Sequence, residues 1–396
     1  MSAASDRPTA SGATSVEEEL VARARALAPA VAAAASEVEA TGALPPDLLD
    51  GLHEAGVFRM AVPAAYGGLD ASPLTCARVV EELAVADGSV GWCAMIAWQT
   101  AAMGAMLPAR GAQEVFAGPR SVTCGVARQT GKAHAVDGGY RISGRWPFAS
   151  GSLHATWFGA ECAVVEGDQQ VRNSAGDPVG RMFFVPRDQV TIHNTWLTGG
   201  LRGTGSNDFS VQDVFVPGHR SFQMLVDPPV LPNPRYRNQC LEFIGHGAQA
   251  LGVARGLLEA ARAFAPGKIA YGGKPLHQSP RFQSDFALAQ ALVESGRSYL
   301  HGTVAAFWDR IQAGHESTQP ERARVRLATS LALQNSVRAV DLLYAGAGTS
   351  AFFTASPFER RFRDIHAAAA HVMISTAVVE AAGRVALGLE PEFPFF

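Results

Sequence analysis

Charge is sparse in this 396-residue chain: 17% of residues are charged, and 33 basic against 36 acidic side chains leave a formal net charge of −3. With a pI near 6.4 there is no basic excess from which to build a phosphate-binding face, and a nucleic-acid groove is excluded. Cysteine is scarce too. The five, Cys76, Cys93, Cys124, Cys162 and Cys240, form no CxxC pair and have no histidine at zinc spacing. Neither a disulfide framework nor a metal site is expected, and the thiols read as free in a reducing compartment. No 18-residue apolar run occurs, and the Ser/Ala/Thr-rich stretch Met1 to Ser15 lacks the apolar centre of a signal peptide. The expectation is a cytoplasmic protein without membrane contact, with a disordered tail over 1–15.

What is present is bulk. At 47% hydrophobic residues the chain can bury a large core, and its length exceeds the roughly 250–300 residues at which single cores stop growing. The patterning changes twice. Ala-rich helical runs (Leu20 to Ala40, Pro46 to Ala55, Leu74 to Ala86) fill 16–120. Short alternating runs such as Ala133 to Val136, Tyr140 to Ile142, Met182 to Val185 and Val211 to Val216, bounded by Asp-Gly-Gly and Gly-Asp turns, fill 121–225. Beyond a Pro-rich connector (Pro228, Pro229, Pro232, Pro234), four long helical patterns fill 238–390: Leu241 to Phe264, Arg281 to Gln312, Arg322 to Tyr344 and Phe362 to Leu387. The class is α+β, with a helical block, an antiparallel β domain and a four-helix bundle.

Five strings in this order resemble one superfamily. They are Gly56-Val57-Phe58-Arg59 with Val62-Pro63 and Tyr66-Gly67-Gly68; Asp87-Gly88-Ser89-Val90-Gly91-Trp92; Gly200-Leu201-Arg202-Gly203-Thr204-Gly205-Ser206-Asn207-Asp208; Asp213-Val214-Phe215-Val216-Pro217; and Ala345-Gly346-Ala347-Gly348 with Pro357-Phe358-Glu359-Arg360 and Arg363-Asp364. Together they resemble the acyl-CoA dehydrogenase-like flavoproteins. That resemblance implies a middle β-barrel between helical domains, a flavin, and a homotetramer, which suits bundle helices apolar on more than one face.

A dehydrogenase of this superfamily needs a carboxylate to remove an α-proton. The usual glutamate, eight residues beyond Asp364, is replaced by Val372, and the "T-E-P" string before the barrel is missing. Glu242, ten residues before Gly252, is a candidate relocated base and keeps the dehydrogenase open as an alternative; its other reading is a glutamate near a helix start. A non-catalytic scaffold is the third reading. The leading one comes from Gly144-Arg145-Trp146-Pro147-Phe148-Ala149-Ser150-Gly151-Ser152, which resembles the oxygenase components of two-component flavin-dependent hydroxylases such as the 4-hydroxyphenylacetate hydroxylases.

That resemblance implies reduced FMN or FADH2 delivered by a separate NAD(P)H:flavin reductase, and hydroxylation of a small phenolic or indolic substrate through a C4a-hydroperoxyflavin. By the same resemblance Ser150 stabilises that adduct and His371 is the base that deprotonates the substrate. Trp146, Phe148, Arg202, Thr204, Gly205, Ser206, Gly346 and Gly348 are expected at the cofactor, since small residues with free N–H groups approach phosphates and polar ring edges closely. Lys268 stands where the family carries an arginine on the flavin pyrophosphate, and loses the bidentate fork. Gln99, Trp98, Met95, Glu242 and Met373 are the expected substrate pocket. Met95 and Trp98 also suit plain core at helical spacing.

Overall fold

A computed structural model describes residues 11–396 except Asp168 and Tyr271, with side chains from Val16 onward. Residues 1–10 of the expected tail lie outside the described residues, and 11–15 begin the first helix. Five helices come first: α1 (Ser11–Thr41), α2 (Pro46–Glu54), α3 (Pro73–Ala86), α4 (Gly88–Ala102) and α5 (Ala109–Phe116). In α1, Leu20, Ala24, Val31, Ala35 and Val38 are buried, recurring at steps of three, four and seven so that one stripe faces inward. Helix α4 is buried on nearly every face. Asp87 caps it, its carboxylate accepting the Ser89 and Val90 N–H at 2.9 and 3.1 Å.

Eight strands follow: β1 (Thr123–Val136), β2 (Gly139–Ala149), β3 (Trp157–Glu166), β4 (Gln169–Gln170), β5 (Gly180–Pro186), β6 (Thr191–His193), β7 (Asn207–Pro217) and β8 (Ser221–Phe222). They make one sheet of order β6-β7-β2-β1-β3-β5-β8, with β4 on β3. The Asp137-Gly138 turn closes the β1–β2 hairpin, Val136 opposite Gly139, with Gly138 at φ +74. Two expectations are corrected. The sheet is not wholly antiparallel, because β1 and β3 run parallel, Cys124 beside Phe158. Nor is a closed barrel shown, since the ladder ends at β6 and β8. The parallel pair has a topological cause. Strand β2 returns to the start of β1, and the segment 150–156 then crosses that end to begin β3 on the other side of β1. Ser150 opens this crossover.

Helices α6 (Ile244–Phe264), α7 (Pro280–Gln312), α8 (Gln319–Ala347), α9 (Pro357–Ala369) and α10 (Thr376–Ala386) complete the chain. The expected helix from Phe362 to Leu387 is broken between α9 and α10. His371 leaves the helix with ψ 130, and its ring nitrogen Nδ1 accepts the Met373 N–H. A side chain that hydrogen-bonds its own backbone competes with helix continuation in this way. The two helical blocks share one core, with Val80, Trp98, Leu251, Leu300 and Val340 in a single cluster. The sheet keeps its own core around Trp146, Phe158, Phe183 and Phe209. Glycine lets the blocks meet: a Cβ on Gly245 would lie 2.7 Å from Met95 Cγ, and one on Gly252 would lie 2.4 Å from the Glu81 carbonyl.

Candidate active site

The crossover brings Ser150 under the turn between β6 and β7. Ser150 Oγ lies 2.7 Å from Ser206 Oγ, and Ser206 Oγ lies 2.6 Å from Thr204 Oγ1, which donates to the Leu201 carbonyl at 2.7 Å. Ser150, Thr204 and Ser206 are all buried. Leu201 and Gly205 both sit at φ +51, a left-handed conformation that costs a leucine about 1–2 kcal/mol. Asp364 holds it there by accepting the Leu201 N–H at 2.6 Å. Burial and the facing Asp87 raise the Asp364 carboxyl above its ordinary range. The Arg-Asp string of the last block thus shapes the turn that carries Thr204 and Ser206.

Trp92, on α4, donates its indole N–H to Ser150 Oγ at 3.0 Å. The same indole meets two histidines edge-on, His246 with ring centroids 5.4 Å apart and His371 at 5.7 Å. The histidines lie 4.5 Å from each other. Both are neutral: burial lowers His371 to about 4, with Arg326 adding to the effect, and burial together with His371 holds His246 well below its ordinary value. The shorter contact at each ring gives the two histidines different tautomers. His246 Nδ1 donates to the Phe243 carbonyl at 3.1 Å, leaving Nε2, buried and unpartnered, as an acceptor. His371 Nδ1 accepts the Met373 N–H at 3.3 Å, leaving its proton on Nε2. In these tautomers His371 Nε2 is a donor, and the base expected at His371 has an acceptor beside it in His246 Nε2.

These neutral histidines set an acid limit on stability. His154, buried beside His53, is likewise lowered to about 4. The unfolded chain takes up such protons near pH 6.5 and the folded chain only near 4, so each of His154 and His371 withdraws up to about 3 kcal/mol as pH falls through that window. Asp364, shifted the other way, offsets one group's share. Thermal melts should show a midpoint dropping steadily from pH 6.5 to 4.5; a flat profile would contradict buried neutral histidines.

Other expected site residues lie elsewhere. Trp146 is corrected: its ring is fully buried in the sheet core, stacked on Phe209 at 5.0 Å with its N–H on the Glu161 carbonyl at 2.7 Å, so it cannot face a flavin. Phe148 differs. Its ring is 66% exposed, its φ is +66, and it meets Trp196 edge-on; such strain in a non-glycine residue is typical of ligand clamps. Met95 and Trp98 pack in the core between α4 and α6. Gln99 donates to the Glu242 carbonyl at 2.9 Å and lies 3.3 Å from His246 Nδ1. Arg202 is half exposed, 3.7 Å from Glu39. Lys268 donates to Ser350 Oγ at 2.6 Å, beside Gly348, whose φ is +60. Gly346 packs on Phe282.

Glu242 is not a free base. Both carboxylate oxygens are taken by the buried Arg235, at 2.9 and 3.1 Å. Changing Glu242→Gln should leave that guanidinium without its counter-charge and lower stability by about 3 kcal/mol, read as a lower denaturation midpoint; an unchanged midpoint would contradict the ion pair.

Sequence reasoning missed Trp92, His246 and Arg326 as site residues. Trp92 stands in a recognised string, and His246 lies four residues, one helical turn, past Glu242. Only the packing of α4 on α6 shows that they converge. Among the described residues no helix is long and apolar enough to cross a membrane, and no group of three His, Cys, Asp or Glu could hold a metal ion.

Known proteins resemble this chain over most of its length. Residues 14–115 match the family model for the acyl-CoA dehydrogenase N-terminal domain, and residues 244–376 that for the C-terminal domain. An indole-3-acetate monooxygenase of Acinetobacter baumannii is 32% identical over 368 residues, 91% of each chain. The oxygenase component of an FADH2-dependent resorcinol hydroxylase from Rhizobium is 29% identical, covering 94% of this chain and 95% of its own. XiaF from Streptomyces, solved with FADH2 and glycerol, superposes with a TM-score of 0.89 at 25% identity, covering 97% of this chain and 98% of its own.

Proposed function

The chain belongs to the flavin-dependent monooxygenases of acyl-CoA dehydrogenase-like fold, and on that footing we propose that it hydroxylates a phenolic or indolic substrate in the cytoplasm, using O2 and FMNH2 or FADH2 from a partner NAD(P)H:flavin reductase. The observation that carries this reading is the buried chain of hydrogen bonds from Thr204 through Ser206 and Ser150 to Trp92, ending against two neutral histidines with opposite free valences. The residues fit a flat heteroaromatic cofactor: the hydroxyls of Ser150, Thr204 and Ser206, the N–H groups of the turn at Gly205 and the cation of Arg202 suit its polar edge, and Phe148 offers a ring face. Lys268 and the turn at Gly346 to Gly348 suit the phosphates of the longer flavin.

When bound, the reduced flavin supplies the two electrons that split O2, one oxygen atom entering the substrate and the other leaving as water. The protein's part is placement and exclusion. Ser150 offers an acceptor oxygen: its Oγ takes the Trp92 N–H and its proton goes to Ser206, whose own goes to Thr204, which leaves a lone pair for an N–H of the cofactor's ring edge in a site where burial keeps water from competing. His371 Nε2–H donates to the substrate's heteroatom, and His246 Nε2 accepts its proton. The Phe243 carbonyl fixes the His246 ring. Glu242, paired to Arg235, is not free to remove hydrogen from a thioester. The deciding experiment mixes the protein anaerobically with FMNH2 or FADH2 and an aromatic panel, then admits O2. Hydroxylated product requiring both reduced flavin and O2 is expected; a bound flavin bleached by an acyl-CoA without O2 would overturn the reading.

The assembly proposed is a homotetramer. Phe352, Phe353, Leu387 and Leu389 are apolar side chains more than half exposed on the C-terminal block, more than a lone chain of this kind usually leaves in water. Light scattering on the purified protein checks it, and a monomer would refute it.

A further inference from the structure

Arg326, on α8, is fully buried and has no acidic partner among the described residues. It donates once, from Nη2 to the Met373 carbonyl at 2.9 Å, while Nε and Nη1 are buried without any hydrogen-bond acceptor. The faces of Phe243, 4.5 Å away, and Phe396, 5.7 Å away, are its other neighbours. Burial lowers it only to about 10, so at neutral pH it remains a cation. A guanidinium carries five N–H donors in a fixed fork and is costly to bury unpaired; ring faces offset part of that cost and satisfy neither orphaned nitrogen.

The position matters as much as the charge. Met373 is two residues from His371, Phe243 stacks on His246 with centroids 6.3 Å apart, and the orphaned Nε2 of His246 belongs to the same cluster. Arg326 therefore stands at the end of the site away from Ser150, with the histidines between. We propose that Arg326 is the anion-recognition residue of the substrate pocket, and that the substrate is an aromatic ring bearing a short carboxylate arm: the ring lies by the two histidines and the carboxylate accepts from Nε and Nη1. This deepens the proposed hydroxylase reading and rests on it for the word substrate. Two other buried charges, by contrast, have counter-charges. Glu81 is already met by Arg255, Arg297 and His301, and Arg235 by Glu242.

The test is a binding measurement on the flavin-free protein at pH 7.5, without turnover. Indole-3-acetate and 4-hydroxyphenylacetate are titrated by calorimetry beside their uncharged amides. The wild type should bind at least one acid about 10- to 100-fold tighter than its amide, the range for charge-assisted hydrogen bonds in a buried site. Arg326→Met should bring acid and amide within about two-fold of each other, and Arg326→Lys should keep part of the difference because it keeps the charge without the fork. Circular dichroism melts establish that the variants fold; should Arg326→Met fail to fold, the wild-type comparison and Arg326→Lys still decide. Equal binding of acid and amide by the wild type, binding of neither, or discrimination that survives in Arg326→Met would overturn the proposal and leave Arg326 as a packing cation for Phe243 and Phe396. Since no flavin or O2 is present, a protein that discriminates the acids yet forms no hydroxylated product would count against the hydroxylase reading alone.

Discussion

Ser150→Ala should turn the protein from a hydroxylase into an oxidase of reduced flavin. Removing the Ser150 hydroxyl takes away a preorganised hydrogen bond in a water-excluded site, and losses of that kind cost roughly 10²–10³-fold in turnover. Product per O2 consumed should fall by about 10²-fold, and H2O2 should rise toward one per O2. The fold should hold, since the change leaves only the Trp92 N–H and the Ser206 hydroxyl short of a partner, a cost of about 1–3 kcal/mol. Coupled measurement of O2 uptake, H2O2 and product checks this. Unchanged coupling would remove Ser150 from the chemistry and leave it as a support for Trp92.

The second large effect belongs to the histidine pair. His371→Ala and His246→Ala should each lower hydroxylation by about 10²-fold or more while oxidation of reduced flavin continues, because a positioned proton-transfer group contributes about 10²–10⁴-fold. The double variant should be little worse than the poorer single one, as groups acting as a unit are strongly non-additive. Single-turnover assays with fixed reduced flavin measure all three. Full additivity would mean that the rings work separately, and a normal rate in His246→Ala would return the proton-accepting role to another group. The pH profile offers an independent reading. With His371 held near 4 by burial, activity should not fall on acidification at pH 6.5, where an ordinary histidine would already be half protonated.

Much of this was open to inspection in the primary structure. The order of helical and alternating patterns, the Asp137-Gly138 hairpin and the strings around Ser150, Ser206 and Asp364 were visible because periodicity and turn chemistry are local properties. Where inspection failed, periodicity and spacing did not reveal which side chains would meet. The pattern from Phe362 to Leu387 keeps helical spacing straight through His371, and nothing local shows the ring bonding back to Met373. Trp146 sits in the same string as Ser150, yet one side chain enters the sheet core and the other the site. Glu242 has the placement of a base, and only its approach to Arg235 shows it to be spoken for.

The chain's order of residues was enough to determine the family of fold and the use of a reduced flavin, since these rest on residue type and spacing. Which ring nitrogen carries each histidine's proton and which carboxylate is neutralised depend on partners two to seven residues away, Met373, Phe243 and Arg235, that only the folded backbone brings into contact, and helix packing decided where an unpaired guanidinium comes to rest. Burial sets those outcomes: removing a charge or a ring nitrogen from water makes its few remaining neighbours dominant, and which neighbours remain is a property of the folded chain.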